Sequence, residues 1–135
     1  MKIYIDENMP SQLADGLSIL EKPNNEGVEV YSIQKEYGRG ILDEDWIPQV
    51  GQVSGIVITQ DSKMQRIKSQ FRLLKEYKLG IFYLIPPGKK GYTYWEMVEK
   101  IILNWREIKQ IARRNKPPFA FLTSFMKNSF AILSL

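Results

Sequence analysis

Residues 2–10 read KIYIDENMP, and this stretch decides the fold. KIYI is a short β-rich run. Asp6 follows it directly, and Asn8 and Pro10 then lead into a segment whose Leu13, Leu17 and Leu20 recur at helical spacing. The same passage from apolar run through acid to helix start returns in residues 39–48, RGILDEDWIP, and in residues 55–63, GIVITQDSK. In an open α/β sheet, residues just past the carboxyl ends of parallel strands face a common crevice, so acids distant in sequence meet there. Carboxylates forced together repel one another, and the arrangement persists mainly where a hard cation such as Mg²⁺ or Mn²⁺ neutralises them. Asp6, Asp43 and Asp61 therefore mark a candidate metal centre for hydrolytic chemistry.

Outward from these segments the alternation continues. Residues 28–33 read as a second strand, and residues 37–40 as a Gly-bracketed loop. The spacing predicts a short helix around residues 46–50, with Pro48 tolerable only near its start. A third strand is predicted at 55–59. Ser62 is placed to cap the following helix, on which Met64, Ile67, Phe71 and Leu74 form a stripe, while Lys63, Arg66, Lys68, Arg72, Lys75 and Lys78 occupy the other faces. A fourth strand is predicted at 80–85, ended by Pro86-Pro87-Gly88. A long helix follows from about Thr93 to Asn115, its inner side carrying Met97, Val98, Ile101, Ile102, Trp105, Ile108 and Ala112. Such alternation implies right-handed βαβ units and a mainly parallel sheet of about four to five strands, with helices on both faces. Residues 1–116 make the domain, and residues 117–135 read as an arm or hairpin packed on it.

The 135 residues suit one domain with a real core, and 44% hydrophobic with 25% charged residues is globular composition. No long uncharged apolar stretch indicates a transmembrane helix, and the acids at the very start argue against a signal peptide. The absence of cysteine suits the cytoplasm. The absence of histidine excludes Ser-His-Asp and Cys-His catalysis, paired-histidine RNA cleavage and His-ligated zinc. Net charge is only +4, yet residues 1–61 hold 4 Lys/Arg against 11 Asp/Glu and the remainder 15 against 4. An acidic half carrying the site beside a basic half suits an enzyme acting on a polyanion. Lys/Arg-rich surface helices are the bland alternative.

Each acid alone reads as readily as a helix cap. Three caps that all fall at sheet crevices are a less economical account than one shared site. Spacing does not decide which of Asp43, Glu44 and Asp45 points inward; Asp43 or Asp45 is favoured. Trp46, Trp95 and Trp105 read as core.

The segments KIYIDENMP, RGILDEDWIP, VITQD and REIKQIARRNKPPFAF (residues 106–121) together resemble the PIN-like nuclease family, in particular the subgroup proposed as toxins of bacterial toxin–antitoxin systems. The resemblance implies a three-layer α/β/α domain. Its clustered acids would hold one or two Mg²⁺ or Mn²⁺ ions and a water that attacks phosphate. By position, Asp6 and Asp61 are then metal ligands and Asp43 or Asp45 completes the set. Thr59 and Asn8 orient the ligands, and Lys63, Arg66 and Arg39 contact nucleic acid. PIN nucleases typically add a fourth acid on the helix after the last site strand, whereas this chain offers none there before Glu76. The implied function is a cytoplasmic, Mg²⁺-dependent endoribonuclease with RNA and a small antitoxin protein as partners, self-association being left open. The alternative is a weak or inactive PIN-like module that binds nucleic acid or a protein partner. A response-regulator-like domain ranks lower, because no lysine ends the late strand.

Overall fold

A computed structural model describes residues 1–61, 63–86, 88–124 and 130–134. Ser62 and Pro87 lie outside them. The strands are β1 (Lys2–Ile5), β2 (Glu29–Ser32), β3 (Ile56–Gln60), β4 (Gly80–Ile85), β5 (Phe119–Ser124) and β6 (Phe130–Leu133). The helices are α1 (Ser11–Glu21), α2 (Ile33–Tyr37), α3 (Asp43–Gln52), α4 (Met64–Glu76) and α5 (Tyr94–Arg114).

The strands form one six-stranded sheet in the order β2-β1-β3-β4-β5-β6, parallel except for β6. The chain moves outward from β1 to β2, then returns past β1 to β3. The β1/β3 boundary is thus the point where strand order reverses, and ligands in such sheets bind beyond the strand ends there.

Period-two alternation gives each strand one face to each helical layer. Ile3, Ile5, Ile56, Ile58, Phe82 and Leu84 pack with Leu13 and Leu17 of α1 and Met97, Ile101 and Ile108 of α5. Tyr4, Val57, Ile81 and Tyr83 pack on the opposite face with Ile33, Trp46, Ile47 and Val50 and with Ile67 and Leu74 of α4. The fold is therefore three-layer α/β/α. The uniform hand expected of its crossovers does not hold. From β3 to β4 to β5 the chain steps in one direction, but α4 and α5 lie on opposite faces, so these two crossovers have opposite hands.

Several local expectations also give way. Among the described residues the sheet has six strands, because the segment read as an arm supplies β5, a parallel neighbour of β4, as well as β6. Residues 33–37 form a helix that takes Ile33 from the predicted strand and Tyr37 from the predicted loop, since Ser32 Oγ caps α2 by accepting from the Lys35 amide at 3.3 Å. α3 begins at Asp43, which leaves Pro48 inside it at the loss of one hydrogen bond. On α4, Met64 is exposed and Gln70 and Leu73 are buried, so the inner face is turned from the apolar stripe. Trp95 is 73% exposed and Ile102 50%, against the expectation of core, whereas Trp46 is buried at 2%. Thr93 caps α5 in a reciprocal pair with Glu96. No helix among the described residues is long and apolar enough to cross a membrane.

Candidate metal centre and nucleic-acid cleft

Register builds the site. Ile5 pairs with Ile58, and the ladder runs one bond further, the Asp6 amide donating to the Ile58 carbonyl at 3.0 Å. Asp6 thus emerges beside Thr59, whose Oγ1 donates to Asp6 Oδ2 at 2.6 Å. The Glu7 amide donates to the other oxygen, Oδ1, at 2.8 Å. Past β3, the Asp61 amide donates to the Leu84 carbonyl at 3.2 Å, pinning Asp61 beside β4. Asp61 Oδ1 accepts from the Lys63 amide at 2.9 Å, which opens α4. Asp6, Thr59 and Asp61 fall on the strand face that packs on α3 and α4.

Asp43 approaches from that layer. Its Oδ1 accepts from Trp46 Nε1 and its Oδ2 from Gln70 Nε2, each at 3.1 Å. Gln70 in turn accepts from the buried Tyr83 hydroxyl at 2.7 Å. Burial, with the charge of Asp61 second, pushes that phenol well above its ordinary value. Asp45, two residues on and so on the opposite side of the helix, is exposed. The structure therefore brings Asp6, Asp43 and Asp61 together and leaves Asp45 outside.

All three carboxylates face one cation. Arg66 places Nη1 3.3 Å from Asp61 Oδ2, and Nη2 3.5 Å from Asp43 Oδ1 and 3.9 Å from Asp6 Oδ2. Burial lowers the guanidinium's proton affinity, but the charges of Asp43, Asp6 and Asp61 outweigh it and hold the pKa above its ordinary value. For Asp6, burial raises the carboxyl above its usual range, and the Thr59 hydroxyl, the Glu7 amide and Arg66 only partly offset it.

Asn8 ties β1's extension to β3. Its amide nitrogen donates to Thr59 Oγ1 at 3.2 Å and to the Gln60 carbonyl, while its oxygen accepts from the Gln60 amide at 3.3 Å. Beside it lies a cleft of about 310 Å³ lined by Asn8, Gln60, Asp61, Lys63, Arg66, Lys89 and Lys90. A second, of about 430 Å³, shares Asn8 and Gln60 and reaches Arg39, Gln34 and Tyr94. Sequence reasoning did not single out Gln70, Tyr83, Lys89 or Lys90. Gln70 was findable, being four residues after Arg66 and so on the same helix face.

The donor set has the chemistry of a hard divalent cation: three carboxylates, with neutral oxygens around them and no softer ligand. As they stand, no three acidic, His or Cys side chains among the described residues are gathered closely enough to hold an ion, and a guanidinium lies between the carboxylates.

A three-layer α/β/α domain with carboxylates at the switch point of its sheet defines an α/β domain with an acidic site. The sequence model of the family described as "PIN like domain" matches residues 1–85, more than half the chain and all three acids, so the chain belongs to the PIN-like domain family. Domains of this family are generally nucleases. No curated protein and no solved structure matches the chain.

Proposed function

We propose that this protein is a Mg²⁺- or Mn²⁺-dependent endoribonuclease acting in the cytoplasm, the toxin of a toxin–antitoxin pair. The observation that carries the reading is the convergence of Asp6, Asp43 and Asp61 at the β1/β3 boundary, beside a cleft walled by Lys63, Lys89 and Lys90. In this reading Asp6, Asp61 and Asp43 hold the ion. When bound, the ion supplies Lewis acidity and a water acidic enough to serve as nucleophile near neutral pH. Thr59, itself held by Asn8, fixes the orientation of Asp6, and Trp46 and Gln70 fix that of Asp43. The three lysines draw in the phosphate backbone, and Arg39 and Tyr94 in the adjoining cleft offer a guanidinium plane and a ring to an unstacked base.

An antitoxin finds apolar surface away from the site. Ile19 and Leu20 of α1 and Trp95, Ile102 and Leu103 of α5 are all at least half exposed. A self-associated form would use the same face.

The test is cleavage of RNA by purified protein in Mg²⁺ or Mn²⁺ with an EDTA control, alongside growth on induced expression. Asp6→Asn and Asp61→Asn should each abolish cleavage while leaving the fold intact, and the double variant should lose little more, since ligands of one ion act as a unit. Cleavage that persists in EDTA refutes the reading. One observation favours the second reading, a weak or inactive binding module: Arg66 already satisfies the carboxylates. Nucleic-acid binding without cleavage or toxicity would select it.

A further inference from the structure

Arg66 belongs to two sites at once. Its guanidinium is within 3.9 Å of all three carboxylates, and the residue also lines the lysine-walled cleft. No other Lys or Arg among the described residues lies within ion-pair distance of these acids. Asp6 and Asp61 are 3% and 8% exposed, so their charges need a cation close by. A guanidinium does not lose its proton, so it can leave the acids only by turning away. A divalent ion among the same carboxylates would repel it, and the two cannot occupy the place together. The Arg66 side chain is 39% exposed and lines the cleft, so it has somewhere to turn.

We propose that Arg66 is an exchangeable counter-ion. It balances Asp6, Asp43 and Asp61 in the metal-free protein, and a divalent cation displaces it into the Lys63–Lys89–Lys90 cleft, where it binds substrate phosphate. The proposal rests on the metal-nuclease reading above and deepens it. The residue that resists the cation when substrate is absent becomes a substrate ligand once the cation is in. Cation and polyanion therefore favour each other's binding through one side chain, and the coupling is reciprocal.

Calorimetric titration with Mn²⁺ tests the exchange. Arg66→Gln should bind Mn²⁺ about tenfold more tightly than the wild type, corresponding to removal of a competitor worth one decade in affinity. Arg66→Lys, which keeps the charge but loses the planar fork, should lie between, and it serves if the neutral variant does not fold. Binding of a phosphorothioate oligoribonucleotide supplies the second measurement. The deficit of Arg66→Gln relative to wild type should grow about tenfold when Mn²⁺ is added, because only then is the wild-type guanidinium free for phosphate. Equal Mn²⁺ affinity in all three proteins, or a deficit indifferent to Mn²⁺, overturns the exchange and leaves the metal-nuclease reading standing. Absence of Mn²⁺ binding from all three overturns that reading itself.

Discussion

Thr59 Oγ1 and Asp6 Oδ2 are 2.6 Å apart although 53 residues separate them in the chain. The bond crosses from β3 to the end of β1 and is buried, with Asp6 3% and Thr59 2% exposed. It does structural and chemical service together, because it satisfies a buried acceptor and fixes the carboxylate's rotation. Thr59→Val keeps the shape and removes only the donor. Leaving that acceptor short should cost about 1–3 kcal/mol of stability. Urea denaturation measures it, and a change under about 0.5 kcal/mol would show that Asp6 finds another donor.

Asp43 and Asp45 separate cleanly. Asp43 faces Arg66 at 3.5 Å and accepts from Trp46 and Gln70, whereas Asp45 is exposed. Asp43→Asn should therefore reduce metal-dependent cleavage by more than about a hundredfold, beyond the usual loss from removing a metal ligand's outer partner. Asp45→Asn should remain within about twofold of wild type, as befits a surface change. Single-turnover cleavage at saturating Mn²⁺ decides it, and the reverse ranking would reassign the site.

Asp6 and Asp61 were legible because each ends a strand whose apolar run is unambiguous, and strand ends in a parallel sheet share a crevice. The choice at Asp43 was not. It turns on where α3 begins, and two residues on a helix differ in direction by roughly 200°. Arg66 was legible as a contact for nucleic acid but not as the partner of the acids, because an arginine among lysines on a helix reads as facing outward. Only the tertiary placement of α4 over the acids turns it inward, together with Gln70. Trp95 misled because apolar size was read as burial. Its helix, α5, already buries Met97, Ile101 and Ile108, and Trp95 falls outside that face. β5 was obscured because FAFLTS follows Pro117-Pro118 near the chain end, and nothing local tells a parallel core strand from an arm. Its parallel partner β4 lies across the whole of α5.

The lysines of the cleft carry a prediction about salt. If Lys89 and Lys90 contact phosphate, Lys89→Glu/Lys90→Glu should weaken single-stranded RNA binding and flatten its salt dependence. Each lost contact removes about 0.7 from the slope of log affinity against log salt. A filter-binding series over salt concentration reads the slope directly. An unchanged slope would return both residues to the role of loop solubility.

The remaining prediction concerns the buried ion pair that joins α1 to α5. Lys109 Nζ donates to Glu21 Oε1 at 2.7 Å, and Trp105 Nε1 donates to the same oxygen at 2.6 Å. Glu21 and Lys109 are only 6% and 5% exposed, and Glu21 Oε2 is buried without a partner. Burial alone would raise the Glu21 carboxyl, but the bonds from Lys109 and Trp105 outweigh it and hold the pKa below its ordinary value. Glu26, bonded to Arg113 and Lys109, is lowered to about 2. Both groups thus favour the folded state above the ordinary carboxylate pKa of 4.5, and that contribution is lost as pH falls below it, for Glu26 down to about 2. Lys109→Met should destabilise the protein by about 3–5 kcal/mol at pH 7, because it strands a buried carboxylate. It should also reverse Glu21's part in the pH dependence. With its partner gone, burial raises the Glu21 pKa, so acid now relieves the strain instead of adding to it. Glu21→Met/Lys109→Met should regain most of the loss, since an apolar pair replaces a buried ionic one at little cost. Urea denaturation at pH 7 and pH 4 checks both claims. A Lys109→Met loss below about 1 kcal/mol, or a double variant no better than the single, would show that water reaches Glu21 and that the pair is no stronger than a surface one.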